Sequence, residues 1–126
     1  MLHFISIRFE ESANSNDKVN MCLPADCVYK SAKIVDVDGI AADASNYVAF
    51  KVLGNDQTTV LAQWSTQNSA QGALAAGSPA SLVDQNKADK ALFSSSDMIE
   101  VSLTNSGSGK AVDCMIVLEF ELAREY

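Results

Sequence analysis

A single histidine limits the catalytic chemistry that this sequence could support. His3 is the only imidazole in the chain, and hydrolysis by serine or cysteine needs a general base beside the nucleophile. No serine lies in a Gly-x-Ser-x-Gly sequence. Several groups must be held in mutual geometry before a site can catalyse. We therefore expect no catalytic residues and do not expect an enzyme.

Two pairs of carboxylates are the remaining candidates for hydrolysis. Asp36 and Asp38 lie at one predicted strand end, and Glu119 and Glu121 lie on one face of another strand. A glycosidase needs two carboxyl groups held a few ångströms apart in a cleft. The sequence offers neither pair a facing partner, so solvation of an exposed edge is the simpler interpretation. A hydrolase that joins acids from different strands remains as a weaker alternative.

The sequence Asp36-Val37-Asp38-Gly39 matches the start of a calcium-binding loop. In the helix-loop-helix version, an oxygen ligand is needed where Ile40 stands and a glutamate where Tyr47 stands. Both are missing, so the sequence predicts an Asp-Gly turn. We expect neither a metal site nor a cofactor.

The three cysteines do not form a recognised ligand or disulfide pattern. Cys22 and Cys27 are five residues apart, which is too wide for a Cys-x-x-Cys motif, and Cys114 lies far along the chain. An odd number of cysteines without a secretion signal argues against a disulfide framework. We expect buried, reduced thiols.

The glycines and aromatic residues leave one binding alternative open. Gly107 and Gly109 lie between two predicted strands, whereas phosphate-binding loops lead into a helix. Tyr29, Tyr47 and Trp64 could form a platform on which a sugar stacks. Aromatic residues at alternating strand positions are more often part of the core or of a subunit contact, and we favour that interpretation.

Charge and hydropathy exclude further classes of partner. Sixteen acidic and nine basic residues give a net charge of −7, which disfavours binding to nucleic acid or to an anionic membrane. No segment approaches the roughly 20 apolar residues of a membrane-spanning helix. The segment 1–8 lacks the basic start and long apolar run of a signal peptide. We therefore expect synthesis in a reducing cytoplasm.

The dominant hydrophobic period is two, which indicates strands. From Lys110 to Leu122, one face is apolar and the other carries the acidic residues. Asp97 to Thr104 alternates in the same way, and the five residues 105–109 between the two runs are small turn formers. This pattern predicts a β-hairpin.

The remaining segments complete an all-β prediction. Further strands are predicted within 5–9, 19–23, 27–37, 46–53 and 58–64. Ser65 to Ala80 reads as a loop with one helical turn at Ala73 to Ala76, and Asp84 to Leu92 as a short helix capped by Asp84. We predict a single domain, residues 1–126, folded as a jelly-roll-like β-sandwich of about eight strands. Period two does not distinguish it from an immunoglobulin-like sandwich.

The order of these features resembles the jelly-roll structural proteins of tailed bacteriophage virions. The shared features span about residues 19–122: a strand opening at Asn46, a polar turn at 54–57, a small-residue loop at 67–79, and a Gly/Ser connection before a long last strand. Among these proteins the chain most resembles small capsid decoration (cement) proteins, and fibre and spike head domains share similar patterns. Where such proteins often have Gly-Asp before the strand near Asp97, this sequence has Ser96.

The resemblance implies a non-catalytic homotrimer that binds the major capsid protein on the outer face of the virion and stabilises the shell. The alternative that it implies is a receptor- or glycan-binding head domain of a tail fibre or spike, with Tyr47 or Trp64 exposed. The apolar first segment, Leu2 to Ile5, fits contact with a neighbouring molecule and fits an ordinary first strand equally well. We predict that the contact residues are Leu2, Phe4, Trp64 and Leu74.

Overall fold

The computed structural model describes residues 2–23, 25–85 and 92–122, and these residues form strands and no helix. An all-β fold was expected from the two-residue period, because alternating side chains bury one face of a strand and leave the other exposed. The strands are β1 (Leu2–Glu11), β2 (Asp17–Cys22), β3 (Cys27–Asp36), β4 (Tyr47–Leu53), β5 (Val60–Ser65), β6 (Ala80–Ser81), β7 (Val83–Asp84), β8 (Leu92–Phe93), β9 (Met98–Ser106) and β10 (Val112–Leu122).

The strands form two antiparallel sheets with nested pairing. Sheet A has the order β1-β10-β3-β6, with β8 also paired to β3, and sheet B has the order β2-β9-β4-β5-β7. The first strand thus pairs with the last, the second with the ninth, and the third with the eighth. A long hairpin wound around two sheets gives this order, which is that of a jelly roll. The predicted fold class is confirmed, and the immunoglobulin-like alternative is excluded.

The predicted hairpin between the last two long strands is wrong. β9 pairs with β2 and β4 in sheet B, whereas β10 pairs with β1 and β3 in sheet A. The connection crosses from one sheet to the other, and the Asn105 side chain holds it by accepting from the Lys110 N–H at 2.8 Å and donating to the Ser15 carbonyl at 2.6 Å. Two alternating segments joined by a short turn can face each other across a core as well as pair edge to edge.

One helical prediction needs correction, and the other is described only at its ends. Within Ala73 to Ala76 the backbone of Leu74 exchanges two hydrogen bonds of 2.9 Å with Ile40, which makes an isolated β-bridge where a helical turn was expected. The predicted helix from Asp84 to Leu92 begins on the last residue of β7 and ends on the first residue of β8. Its middle, 86–91, lies outside the described residues.

The core fills the space between the two sheets. On β10 the residues Val112, Cys114, Ile116, Leu118 and Phe120 are all buried, as their alternation predicted. Facing residues of sheet B complete the core. They include Val48, Phe50, Val52, Ile99, Val101 and Leu103. Burial of side chains of this kind stabilises a fold by about 1.5–3 kcal/mol each before conformational entropy is counted.

The turn before β9 places a serine in a backbone conformation that favours glycine. Ser96 has φ +77°, and its N–H donates to the Leu23 carbonyl at 2.9 Å. Only glycine adopts this left-handed conformation without steric cost. The serine therefore adds backbone strain to the turn.

Replacement of that serine should stabilise the protein. We expect Ser96→Gly to raise the free energy of unfolding by up to about 1 kcal/mol, because glycine relieves the left-handed strain. Ser95→Gly is the matched control and should be neutral or destabilising, since glycine there only adds entropy to the unfolded chain. Urea denaturation measures both, and an equal effect of the two changes would contradict this interpretation.

A glycine in the crossing between β9 and β10 has a second, steric requirement. Gly107 has φ +65°, and a Cβ at this position would overlap the Ser45 carbonyl oxygen. Gly77 has nearly the same φ, +64°, with nothing within 4 Å of its would-be Cβ. The two positions therefore separate backbone strain from steric overlap.

We expect Gly107→Ala to cost about 1–3 kcal/mol of unfolding free energy more than Gly77→Ala, because alanine at 107 must also displace the backbone at Ser45. Thermal or urea unfolding of the two variants gives this difference directly. Equal losses would show that the connection is free to move.

Candidate functional site

The outer face of sheet A carries an exposed apolar patch. The register puts Met115 of β10 directly opposite Val35 of β3, with Val117 next to Met115 on the same face. Val37 continues this row, and its N–H donates to the Asp113 carbonyl at 2.8 Å. These residues line a shallow depression of about 320 Å³. Contiguous exposed apolar surface of this kind is typical of an interaction site.

The patch extends to the edge strand β1. Phe4 lies opposite Glu119, so its ring reaches the diagonal neighbour Val117 on the same face. Phe4 is 61% exposed and Leu2 is 50% exposed. We call the outward apolar residues of β1, β3 and β10, together with Val37 just after β3, the sheet A patch. They are Leu2, Phe4, Val35, Val37, Met115 and Val117.

β1 also offers its backbone to a partner. In the described strand order it is the end strand of sheet A, ten residues long, and its one neighbour in that order is β10. An edge strand presents unpaired N–H and C=O groups to any strand that comes alongside. The patch and the edge together therefore provide both apolar contact and hydrogen bonds.

Charged side chains border the sheet A patch. Arg8 bridges Asp113 and Glu10, each at 2.9 Å, and the nearby carboxylates raise the pKa of its guanidinium. At the other end Lys30 lies 3.7 Å from Glu121. An apolar centre with a polar border is the usual composition of a protein interface.

The four predicted contact residues do not share one surface. Leu2 and Phe4 lie together at the exposed edge of sheet A. Leu74 is 3% exposed, because its bridge to Ile40 turns it into the core, and this prediction is corrected. Trp64 is half-buried against the core and donates from Nε1 to the Gly72 carbonyl at 3.1 Å.

The three aromatic residues considered as a sugar platform also lie apart. Tyr29 is fully buried and packs edge-on against Phe120, with ring centroids 6.0 Å apart. Trp64 packs against the core, and Tyr47 lies on the opposite side of sheet B. The structure therefore supports the interpretation of Tyr29 and Trp64 as packing residues.

The two buried cysteines and Asp36 are in structural positions, whereas Cys22 is exposed, which corrects the expectation of buried thiols. Burial raises the pKa of the Cys27 thiol and raises that of Cys114 to about 12, so both thiols stay protonated near neutral pH. Asp36 is buried and accepts from the N–H groups of Asp38 and Asp113 at 3.1 and 3.2 Å. Burial also raises the pKa of Asp36. Its carboxylate closes the predicted Asp-Gly turn and does not face Asp38 across a cleft.

The described residues contain neither a metal-binding group nor a membrane-spanning helix. No group of three or more His, Cys, Asp and Glu side chains in 2–23, 25–85 and 92–122 is placed to hold a metal ion. In the same ranges no helix has the length and apolar character needed to cross a membrane.

The outer face of sheet B differs because it carries a polar groove of about 610 Å³. Its floor is formed by outward residues of β9 and β4, and its walls by the start of β2 and by the β4–β5 loop. The lining residues are Asn16, Asp17, Lys18, Lys51, Leu53, Gln57, Thr58, Val60, Glu100, Ser102, Leu103 and Thr104. Its volume is within the range of small-molecule sites. The alternation of β9 predicted which of its residues face outward. Nothing in the sequence predicted that the β4–β5 loop would form a wall of a groove beside them.

One carboxylate organises the loop that walls the groove. Asp56 accepts from the N–H groups of Thr58 and Thr59 at 3.0 and 2.8 Å and from the Thr59 hydroxyl. The next residue back, Asn55, accepts from the Met98 N–H at 2.8 Å and ties the loop to β9. These bonds favour the ionised form and hold the pKa of Asp56 well below its ordinary value, with the Thr59 hydroxyl the main cause.

The low pKa of Asp56 gives the fold an acid dependence. A carboxyl whose pKa is depressed by folding stabilises the native state above its ordinary pKa, near 4, and this contribution is lost as the pH falls. We expect Asp56→Asn, which cannot titrate, to reduce the loss of stability between about pH 6 and pH 3. Urea midpoints of the parent and the variant across this range measure the effect. Identical slopes would contradict the assigned role.

Comparison with known proteins gives no family for this chain. No protein-family model matches the sequence, and no curated protein matches it. Among solved structures it is similar to a chain of infectious bursal disease virus, Gx strain, with 8% identity and a TM-score of 0.40 over 99% of this chain and 33% of that chain. It is also similar to a chain of the Gt strain, with 8% identity and a TM-score of 0.34 over 100% of this chain and 32% of that chain.

This chain thus spans about a third of the length of those viral chains. At these scores the likeness carries no argument about function. The strand order and the two outer faces of this molecule are the observations on which a function must rest.

Proposed function

We propose that this protein is a non-catalytic virion structural protein, a capsid decoration (cement) protein of a tailed bacteriophage. It binds the major capsid protein at the outer surface of the shell as a homotrimer and stabilises the assembled lattice. It is made in the host cytoplasm and is located on the capsid exterior. Neither nucleic acid nor a membrane is a partner.

The sheet A patch is the observation that carries this proposal. Phe4, Met115 and Val37 are large apolar residues at 45–61% exposure on one face. Leaving them in water is unfavourable, and their burial against a partner would supply binding energy. In the described strand order the outer edge of β1 is unpaired, so a partner can add a strand to the sheet there. A surface of this kind is suited to adhesion.

Two general effects make adhesion by a small protein sufficient to stabilise a shell. A trimer that contacts several capsid subunits binds multivalently, so weak individual contacts add to a tight attachment. A ligand that binds only the assembled lattice stabilises that lattice by mass action. The net charge of −7 keeps unattached copies soluble.

The test uses purified protein and capsids of the same virus that lack it. Sedimentation should give three times the mass of the 13.4 kDa chain, and addition should raise the temperature at which the capsids break. Phe4→Ser should abolish this rise and leave the unfolding temperature of the free protein nearly unchanged, because the ring is exposed. Serine is chosen because an acid there would lie opposite Glu119 and repel it.

Val83→Ser is the matched control, since Val83 is an exposed apolar residue on the edge strand β7 of sheet B. It should bind and protect capsids like the parent. If the parent protein gives no shift in capsid disruption temperature, the cement proposal is overturned. If Phe4→Ser and Val83→Ser behave alike, the sheet A patch is not the binding surface.

A receptor- or glycan-binding head domain of a fibre or spike is the second candidate. The polar groove on sheet B favours it, because concave sites of several hundred cubic ångströms are typical of ligand binding. Labelling of virions and electron microscopy separate the two candidates. Signal over the whole shell supports a cement protein, and signal confined to the tail supports a head domain.

A further inference from the structure

The groove on sheet B contains a buried carboxylate without a protein partner. Glu100 lies on the outward face of the central strand β9 and is only 7% exposed. In the part of the chain that the structure describes, no hydrogen bond or ion pair joins its carboxylate to another residue. A buried charged group without such partners is costly and calls for an explanation.

The Glu100 carboxylate opens into the groove. Among the described residues, the Tyr29 hydroxyl is the only fully sealed polar side-chain atom without a hydrogen-bond partner. In the same part of the chain the Glu100 oxygens also have no hydrogen-bond partner, but they do not belong to the set of atoms closed to solvent. Because the residue lines the groove, its oxygens are open to the groove. Leu53 of β4 and Asn20 of β2 lie directly beside it in the sheet. The carboxylate is therefore held in place at the floor with its acceptors available.

Two lysines flank this carboxylate. The register places Lys18 and Lys51 on either side of Ser102, which is the next outward residue of β9 after Glu100. Neither ammonium group lies within ion-pair distance of Glu100 in the described structure. The two lysines thus lie on the strands at either side of β9, about 5 Å from Ser102, and Glu100 is one outward position away along β9.

The charges of the groove select its ligand by elimination. Lys18 and Lys51 repel a cation from Glu100, while Glu100 and Asp17 repel an anion from the lysines, and the four formal charges cancel. A neutral ligand must therefore supply both donors and acceptors at close spacing. Sugar hydroxyls do both, and the Leu53 and Val60 side chains of the groove can contact the C–H face of a pyranose ring.

We propose that this groove binds a neutral saccharide, with Glu100 accepting hydrogen bonds from sugar hydroxyls and Lys18, Lys51 and Ser102 donating to them. The site lies on the sheet opposite the one that carries the sheet A patch. The proposal names a ligand class for the groove that favours the head-domain candidate, and it does not depend on the cement function.

The first experiment titrates the isolated, isotope-labelled chain with neutral mono- and disaccharides, including glucose, galactose, mannose, N-acetylglucosamine and lactose. At least one of them should give saturable shifts in the backbone amide signals of Lys51, Thr58 and Ser102. Acetate and methylammonium serve as probes for an anion and a cation site. The proposal is overturned if no sugar shifts these signals, or if either ion saturates them in place of a sugar.

The second experiment tests the central residue. Glu100→Gln keeps the shape but removes the charge that strengthens the hydrogen bonds, so we expect the affinity for the bound sugar to fall by about tenfold or more. The variant should unfold at the same temperature as the parent or higher, since the amide is less costly to bury than an unpaired carboxylate.

Glu119→Gln is the matched control, because Glu119 faces outward from the central strand of sheet A. It should leave sugar binding unchanged. Lys51→Gln should weaken binding and Lys33→Gln, on sheet A, should not. Unchanged affinity in Glu100→Gln would refute the proposed role. Because these measurements use the free chain, their failure is distinct from a failure to protect capsids.

Discussion

The packing of two apolar sheet faces against each other is the constraint on which the rest of this structure depends. β9 and β10 each bury one side completely, and the short segment between them places the two strands in opposite sheets. Asn105 fixes this crossing with its side chain. With the last strand beside the first and the ninth beside the second, the nested order of the jelly roll follows.

Because the inner faces supply the core, the outer faces are free to differ. The outer face of sheet A presents the apolar side chains of the sheet A patch, with a few charged side chains at its border. The groove on sheet B is lined by two positive and two negative side chains and by hydroxyl groups. The first surface is suited to a protein partner and the second to a small polar ligand. A sandwich with two such sides can bind two unlike partners at the same time.

The sequence predicted the faces of the strands better than their partners. Alternation assigned every outward and inward residue of β10 correctly, because the period depends on local geometry alone. Pairing depends on contacts distant in sequence, so the crossing after β9 was misread as a hairpin. Leu74 and Glu100 show the same limit. Leu74 lies in the core, where its backbone forms a bridge to Ile40, and Glu100 lies in a groove whose wall is a loop distant from it in sequence.

The pairing of β1 with β10 brings the two ends of the described chain side by side, with Leu2 opposite Glu121. Adjacent ends of this kind can be joined by a short linker, and new ends can then be opened in an exposed loop elsewhere. A peptide fused at either end would leave from the same corner of the molecule. A fused peptide would therefore not obstruct the groove, which lies on the other sheet.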